Sequence, residues 1–216
     1  NGLRALALKF EPSACIELVP NGVDLQAFKP IERAWSPPRL LSVGRLVFQK
    51  GFDLAARALA GIQELDWQWY IAGDGSFRAE FENLCRELGI SERVHLLGWQ
   101  SKQQLALQYQ QANLFVFPSR HEGMPNAVLE AMACGLPVVA SCIAGNEELV
   151  VHSDNGLLFQ AESVPELQAC LKELIPEEGR RQAMGAAARA RVEAHYSWAG
   201  VAEQYSRLLT KMLEAV

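Results

Sequence analysis

The sequence predicts an α/β fold: a Rossmann-like, doubly wound parallel sheet of about six strands, with helices on both faces and two further helices at the C-terminal end. Three observations predict it. Short apolar runs recur along the chain, as in strands that are buried on both faces. Stretches of helical length separate these runs, which is the alternation of a parallel sheet with crossover helices. Several runs end in glycine-bearing turns, at Gly44, Gly73 and Gly98, the tight exits that such strands need.

In order, Asn1-Gly2-Leu3 begins without a methionine, and no complete element is readable in residues 1–15. Ile16 to Val19 reads as a short strand, Asn21-Gly22 as a turn and Pro30 to Pro38 as a loop or linker. From Arg39 the pattern becomes regular. Strands are expected at Leu40–Val43, Trp69–Ala72, Val94–Leu97, Leu114–Phe117, Val138–Ala140 and Leu157–Phe159. Helices are expected at Phe52–Ala60, Phe77–Leu88, Lys102–Gln111, from Pro125 onward, briefly near Glu147, and at Val164–Leu174. Two more, Glu178–His195 and Trp198–Leu213, close the chain. Arg180, Arg181, Arg189 and Arg191 make the first of these basic. A solvated face is the plain reading of that run, and a membrane-surface contact the alternative.

Composition narrows the function classes. Half of the 216 residues are apolar, enough for a sizeable core. A formal charge of −5 argues against a general nucleic-acid binder. No apolar run approaches the ~20 residues that span a bilayer. The five cysteines are scattered, without a Cys-x-x-Cys pair. Cys85, Cys134 and Cys170 fall in helical stretches, which fits buried, reduced thiols of a cytosolic protein better than disulfides or zinc, and Cys15 and Cys142 complete the set. His95, His121, His152 and His195 show no metal spacing.

The most informative stretch runs from His121 to Pro137. It places Glu122 just before a helix and Glu130 inside it. Pro125 suits a first helical position, and Gly135 and Pro137 are stop signals. Free N–H groups around Gly123 to Asn126, where Pro125 itself has none, would form a local positive pole that suits phosphate. Glu130 leans back toward that pole, so a carboxylate stands on either side of it. A capped surface helix with two solvated acids is the other reading. On a parallel sheet, the turns carrying Gly44-Arg45 with Lys50-Gly51, Gly73-Asp74-Gly75 and Gly98-Trp99 share the rim with Glu122. Arg45 and Lys50 can then converge on a phosphate. Asp74 reads as a turn acid. Arg78 stands where a dinucleotide fingerprint needs its third glycine, and no Walker lysine motif is present.

With these residues in view, the chain resembles the C-terminal, donor-binding lobe of a family-4 retaining glycosyltransferase of the GT-B fold. The resemblance rests on Val19-Pro20-Asn21-Gly22-Val23-Asp24, Val43-Gly44-Arg45 with Lys50-Gly51, Ala72-Gly73-Asp74-Gly75 and Leu97-Gly98. Its most specific part is Pro118-Ser119 through Glu122 and Glu130 to Ser141. It implies that Arg45 and Lys50 bind the donor diphosphate and that Glu122 lies near the donor sugar. Glu130 would hold the ribose. Gly44, Gly73, and the backbone of Gly123, Met124, Pro125 and Asn126, would line the donor, with Leu97, Gly98 and Trp99 bordering the base. Ala144-Gly145-Asn146-Glu147-Glu148 departs from the family's Gly-Gly-x-Pro-Glu in its first glycine and its proline. The resemblance implies no cofactor and no obligatory metal.

The implied partners are a nucleotide-sugar donor and an acceptor glycan or lipid bound through an N-terminal lobe, with no nucleic acid. The implied location is cytoplasmic, with peripheral contact of the whole enzyme at the inner membrane face as an option. In domain terms, residues 1–34 read as a lobe remnant and linker, 35–197 as the nucleotide-sugar-binding domain, and 198–216 as a helix crossing back to the other lobe and carrying an apolar face for it. A sugar-nucleotide epimerase of the same fold and a non-catalytic binding module are the rival functions.

Overall fold

The computed structural model describes residues 7–12, 16–34 and 37–214; Asn1-Gly2-Leu3 and Cys15 lie outside them. Six strands form one sheet: β1 (Arg39–Val43), β2 (Gln68–Ala72), β3 (Val94–Gly98), β4 (Leu114–Phe117), β5 (Val138–Cys142) and β6 (Gly156–Gln160). Their order is β3-β2-β1-β4-β5-β6, and every pairing is parallel. Between and after them run α1 (Phe52–Ala60), α2 (Arg78–Glu87), α3 (Lys102–Gln111), α4 (Asn126–Ala133), α5 (Ala144–Glu147), α6 (Val164–Leu174), α7 (Glu178–His195) and α8 (Trp198–Glu214).

Alternation along the strands builds two cores. Leu40, Leu114, Val116 and Val139 face one side, with α1, α2 and α6. Their neighbours Leu41, Phe115, Phe117, Val138 and Ala140 face the other, with α3, α4 and α7. A period of two along a strand buried on both faces leaves no polar side, which is why these strands read as unbroken apolar runs. Helix starts are locally specified too. Ser101 and Gln104 form a reciprocal capping box at α3, and Ser163 caps α6 ahead of Pro165. The free thiols of Cys85, Cys134 and Cys170 are buried, as expected, while Cys142 is exposed. Burial pushes Cys85 and Cys134 up to about 12.

Three expectations are corrected. Ile16 to Val19 is not a strand: a strand needs a ladder partner, and this segment pairs with neither outer strand of the sheet, β3 or β6. Pro125 is not the first helical residue. It stands as the N-cap with ψ 114°, and α4 begins at Asn126. The basic run of α7 is not a solvated face. Arg181 is buried and donates to the carbonyls of Leu174 and Ile175. Arg189 donates to Phe28 and Ala133, and Arg191 to Glu148. Arg180 reaches outward, to Glu173, and Arg189 also pairs with exposed Glu193 at 2.6 Å.

Residues 20–34 are woven into the domain. Val23 pairs with Ser197, Phe28 sits edge-on to Tyr109 at 5.8 Å, and Arg33 donates to Ala112 and Cys134. No helix among the described residues is long and apolar enough to cross a membrane.

Candidate functional site

Strand order reverses between β1 and β4, whose following helices lie on opposite faces. In an open parallel sheet the loops part at such a point and leave a crevice at the carboxyl ends of the strands. The turn after β1 carries Gly44, Arg45 and Lys50; the loop after β4 carries Glu122. Gly51, in the left-handed region at φ 67°, packs so closely that a Cβ there would lie 2.0 Å from the Pro118 carbonyl oxygen. That contact draws the first turn onto the second loop.

As a result Lys50 Nζ pairs with Glu122 Oε1, both side chains less than a fifth exposed. The buried Ser119 hydroxyl donates to the same carboxylate oxygen at 2.7 Å. Lys50 is therefore bound to a carboxylate. Arg45 is exposed, and its side chain makes no hydrogen bond or ion pair among the described residues. Lys50 thus meets Glu122 across the two turns, while Arg45 stands on the same turn with its guanidinium unengaged. His121 is exposed. Asp74 accepts from the Gly75 N–H, as a turn acid should.

After Glu122 the chain runs through Gly123, Met124 and Pro125 into α4. Val128 is the first amide of α4 to donate within the helix, to Pro125 at 3.1 Å. The N–H groups of Gly123, Met124, Asn126 and Ala127 have no acceptor among the described residues. Four unpaired donors at a helix start make an anion-binding pole. Gly145 sets its shape: a Cβ at that position would lie 1.8 Å from the Gly123 carbonyl oxygen. The departure at Ala144 leaves this contact intact.

On the other side of α4, Glu130 accepts from the Tyr109 hydroxyl at 3.0 Å, which also reaches the Ala127 carbonyl at 3.1 Å. Burial pushes the Glu130 carboxyl above its ordinary range against the opposing effects of Tyr109 and Lys102. Burial and the neighbouring carboxylate hold the Tyr109 phenol well above its own. The rim continues through hydrogen bonds from Gly44 to Ala72 at 3.0 Å and from Gly73 to Gly98 at 2.8 Å. Beyond them stand half-buried Leu97 and exposed Trp99. Nearby, Lys102 bridges to Asp24 at 2.9 Å.

Sequence reasoning passed over three residues. Asn21 was visible only as part of a motif, yet its amide side chain donates to the Met124 carbonyl at 3.1 Å and to Asn126 Oδ1 at 3.0 Å. It thereby holds the loop that forms the pole. Ser119 was likewise visible only as part of a motif, and it supports Glu122 three residues on. Tyr109 supports Glu130 from a position that carries no local signal, and only its place in the folded sheet gives it a role.

Residues 26–191 match the family described as glycosyl transferases group 1. The chain belongs to that family. Among its group 1 relatives is a GDP-mannose-dependent α-(1-6)-phosphatidylinositol monomannoside mannosyltransferase of Mycobacterium tuberculosis. It is 30% identical over 94% of this chain and 58% of its own length. Sucrose-phosphate synthase from Thermosynechococcus elongatus superposes with a TM-score of 0.89 at 27% identity, over all of this chain and 58% of that one. Anabaena HepE, solved with UDP and glucose, shares the fold with a TM-score of 0.80 at 22% identity, over 90% of this chain and 56% of its own. The chain spans about half the length of the curated relatives it matches, 43% and 58% for two of them.

Proposed function

We propose that this chain is the donor-binding lobe of a retaining, family-4 type glycosyltransferase that moves a hexosyl group from a nucleoside-diphosphate sugar to an acceptor hydroxyl in glycan, lipopolysaccharide or glycolipid synthesis. The observation that carries this is the Lys50–Glu122 pair beside the four open N–H groups of the α4 start. A cation and an anion-binding pole flank one point, with a carboxylate poised next to it. The diphosphate lies on the α4 pole and takes Lys50 from Glu122, while Arg45 swings in from solvent. Glu130 accepts from the ribose hydroxyls. Gly44 and Gly73 allow the donor close to the rim, and Leu97, Gly98 and Trp99 border the base.

As the bond from the anomeric carbon to the β-phosphate oxygen breaks, its electron pair stays on the phosphate. Lys50, Arg45 and the pole stabilise that charge, without an obligatory metal. Glu122 places the sugar as it gains oxocarbenium character. The acceptor oxygen bonds to the anomeric carbon on the face the diphosphate leaves, and its proton passes to the departing phosphate oxygen, so configuration is retained. The other lobe supplies the acceptor site. Activity in the cytoplasm, at the inner membrane face when the acceptor is a lipid, belongs to this same reading.

Calorimetry with a nucleoside and its diphosphate tests it. The diphosphate should bind more tightly, and Arg45→Ala or Lys50→Ala should each remove about 1.5–3 kcal/mol of that difference. Glu122→Gln should keep or strengthen diphosphate binding, because Lys50 no longer has to leave a carboxylate. Equal binding of nucleoside and diphosphate by the folded chain would sink the proposal.

A further inference from the structure

The geometry points to Arg120 as a positioning residue that holds the Lys50–Glu122 pair together. It lies two residues before Glu122, in a loop where a basic side chain invites a phosphate role. The structure spends its charge elsewhere. The guanidinium forks onto both carboxylate oxygens of Asp53, each at 2.8 Å. Asp53 lies three residues after Lys50, in the first turn of α1. The same guanidinium donates to the Phe48 carbonyl at 2.6 Å and to Glu162 at 2.9 Å. It also stacks 3.8 Å from the centre of the Phe48 ring. Arg120 and Asp53 are 12% and 14% exposed, so this pair is largely shielded from solvent.

The backbone repeats the connection. Arg120 N–H donates to the Gln49 carbonyl at 2.8 Å. The Gln49 side chain returns a bond to the His121 carbonyl at 3.1 Å, and Ser119 reaches the Gln49 carbonyl at 3.2 Å. Segment 48–50 is thus strapped to segment 119–121, and Lys50 and Glu122 are the free ends of the two straps. A forked guanidinium–carboxylate pair fixes direction as well as distance, which a lysine cannot reproduce. Asp53 and the Phe48 carbonyl take up the forked face, so Arg120 acts on a bound diphosphate only through where it sets Lys50 and Glu122.

The inference rests on the proposed donor role of that pair, and two measurements separate the two ideas. The first compares nucleoside and nucleoside-diphosphate affinities well below the melting temperature, in wild type, Arg120→Ala, Arg120→Lys and Asp53→Asn. Arg120→Ala should lose at least about tenfold of the preference for the diphosphate. Nucleoside affinity should stay within about twofold, since Glu130 is untouched. Arg120→Lys should fall between wild type and Arg120→Ala. A purely structural staple would lower the melting temperature and leave the preference unchanged, and that result overturns the inference.

The second measurement needs no ligand. A double-mutant cycle on Lys50→Met and Glu122→Gln, read by thermal melting, is run with and without Arg120→Ala. Their coupling should vanish when Arg120 is absent. An unchanged coupling overturns the inference even if no nucleotide binds, whereas a wild type without diphosphate preference overturns only the donor reading.

Discussion

Glu130 shows at the scale of one residue how a site is set against stability. Its carboxyl is shielded by α3 and α4 and raised above the ordinary value of 4.5, chiefly by burial. The folded chain therefore favours the neutral acid more than the unfolded chain does. By linkage, Glu130 adds stability below pH 4.5, and this is lost as pH rises through its folded value. At neutral pH its charge costs stability, and the Tyr109 hydroxyl offsets part of that cost. Glu130→Gln should raise the melting temperature at pH 7, and the gain should disappear at or below pH 4.5. The same substitution should weaken nucleoside binding, and wild-type binding should weaken as pH falls through the raised value. Melting curves and calorimetry from pH 4 to 8 check both halves. Glu130 itself is legible from its eight-residue spacing to Glu122. Its burial and its phenol partner are not, because Tyr109 belongs to another helix, brought alongside by the sheet.

At the scale of elements, α7 ties the layers together. Gly185 packs so tightly on Gly135 that a Cβ would lie 2.2 Å from its carbonyl oxygen. Arg181 closes the C-terminal end of α6, where carbonyls lack helical partners. Burial lowers its own basicity, so these bonds hold a costly charge in place. Arg181→Met should cost about 1.5–3 kcal/mol of stability, read by urea unfolding. Nucleoside-diphosphate binding should be unchanged under native conditions, since Arg181 sits away from the α4 start. A basic run of this kind reads from sequence as a water-facing stripe. Periodicity reports which residues share a helix face. It does not report which neighbouring carbonyls that face will meet.

Over the whole molecule, α8 carries an open apolar stripe. Trp198, Tyr205, Leu209 and Leu213 are 58%, 52%, 58% and 79% exposed, and their spacing puts them on one helical face. Such a face suits the partner lobe that the two-lobed reading expects residues 198–216 to meet. The sheet and its two cores are complete without that lobe. The chain should therefore unfold cooperatively and bind a nucleoside diphosphate, yet transfer no sugar to any acceptor. A longer protein with the upstream lobe should transfer, and Arg45→Ala or Glu122→Gln in it should abolish most turnover. A product assay on both proteins decides this, and efficient acceptor-dependent turnover by the present chain would count against the two-lobe requirement.

The sequence by itself determined the six strands, the parallel arrangement and the rim on which Gly44, Lys50, Gly73, Gly98 and Glu122 meet. Each of these follows from a short-range pattern: apolar runs, helical spacing, and glycines at strand exits. It left open which side chains the rim engages. Only the tertiary structure decided that Lys50 is already paired with Glu122, that Arg120 is spent on Asp53, that Asn21 holds the Met124 loop, and that Arg181, Arg189 and Arg191 of α7 reach inward carbonyls. It also withheld a partner from Ile16 to Val19, whose pattern suited a strand. The first three share a reason. A hydrogen bond or ion pair between residues 67 to 103 positions apart depends on where the sheet sets its strand ends. A strand depends on a ladder partner, and neither leaves a mark in the residues next door.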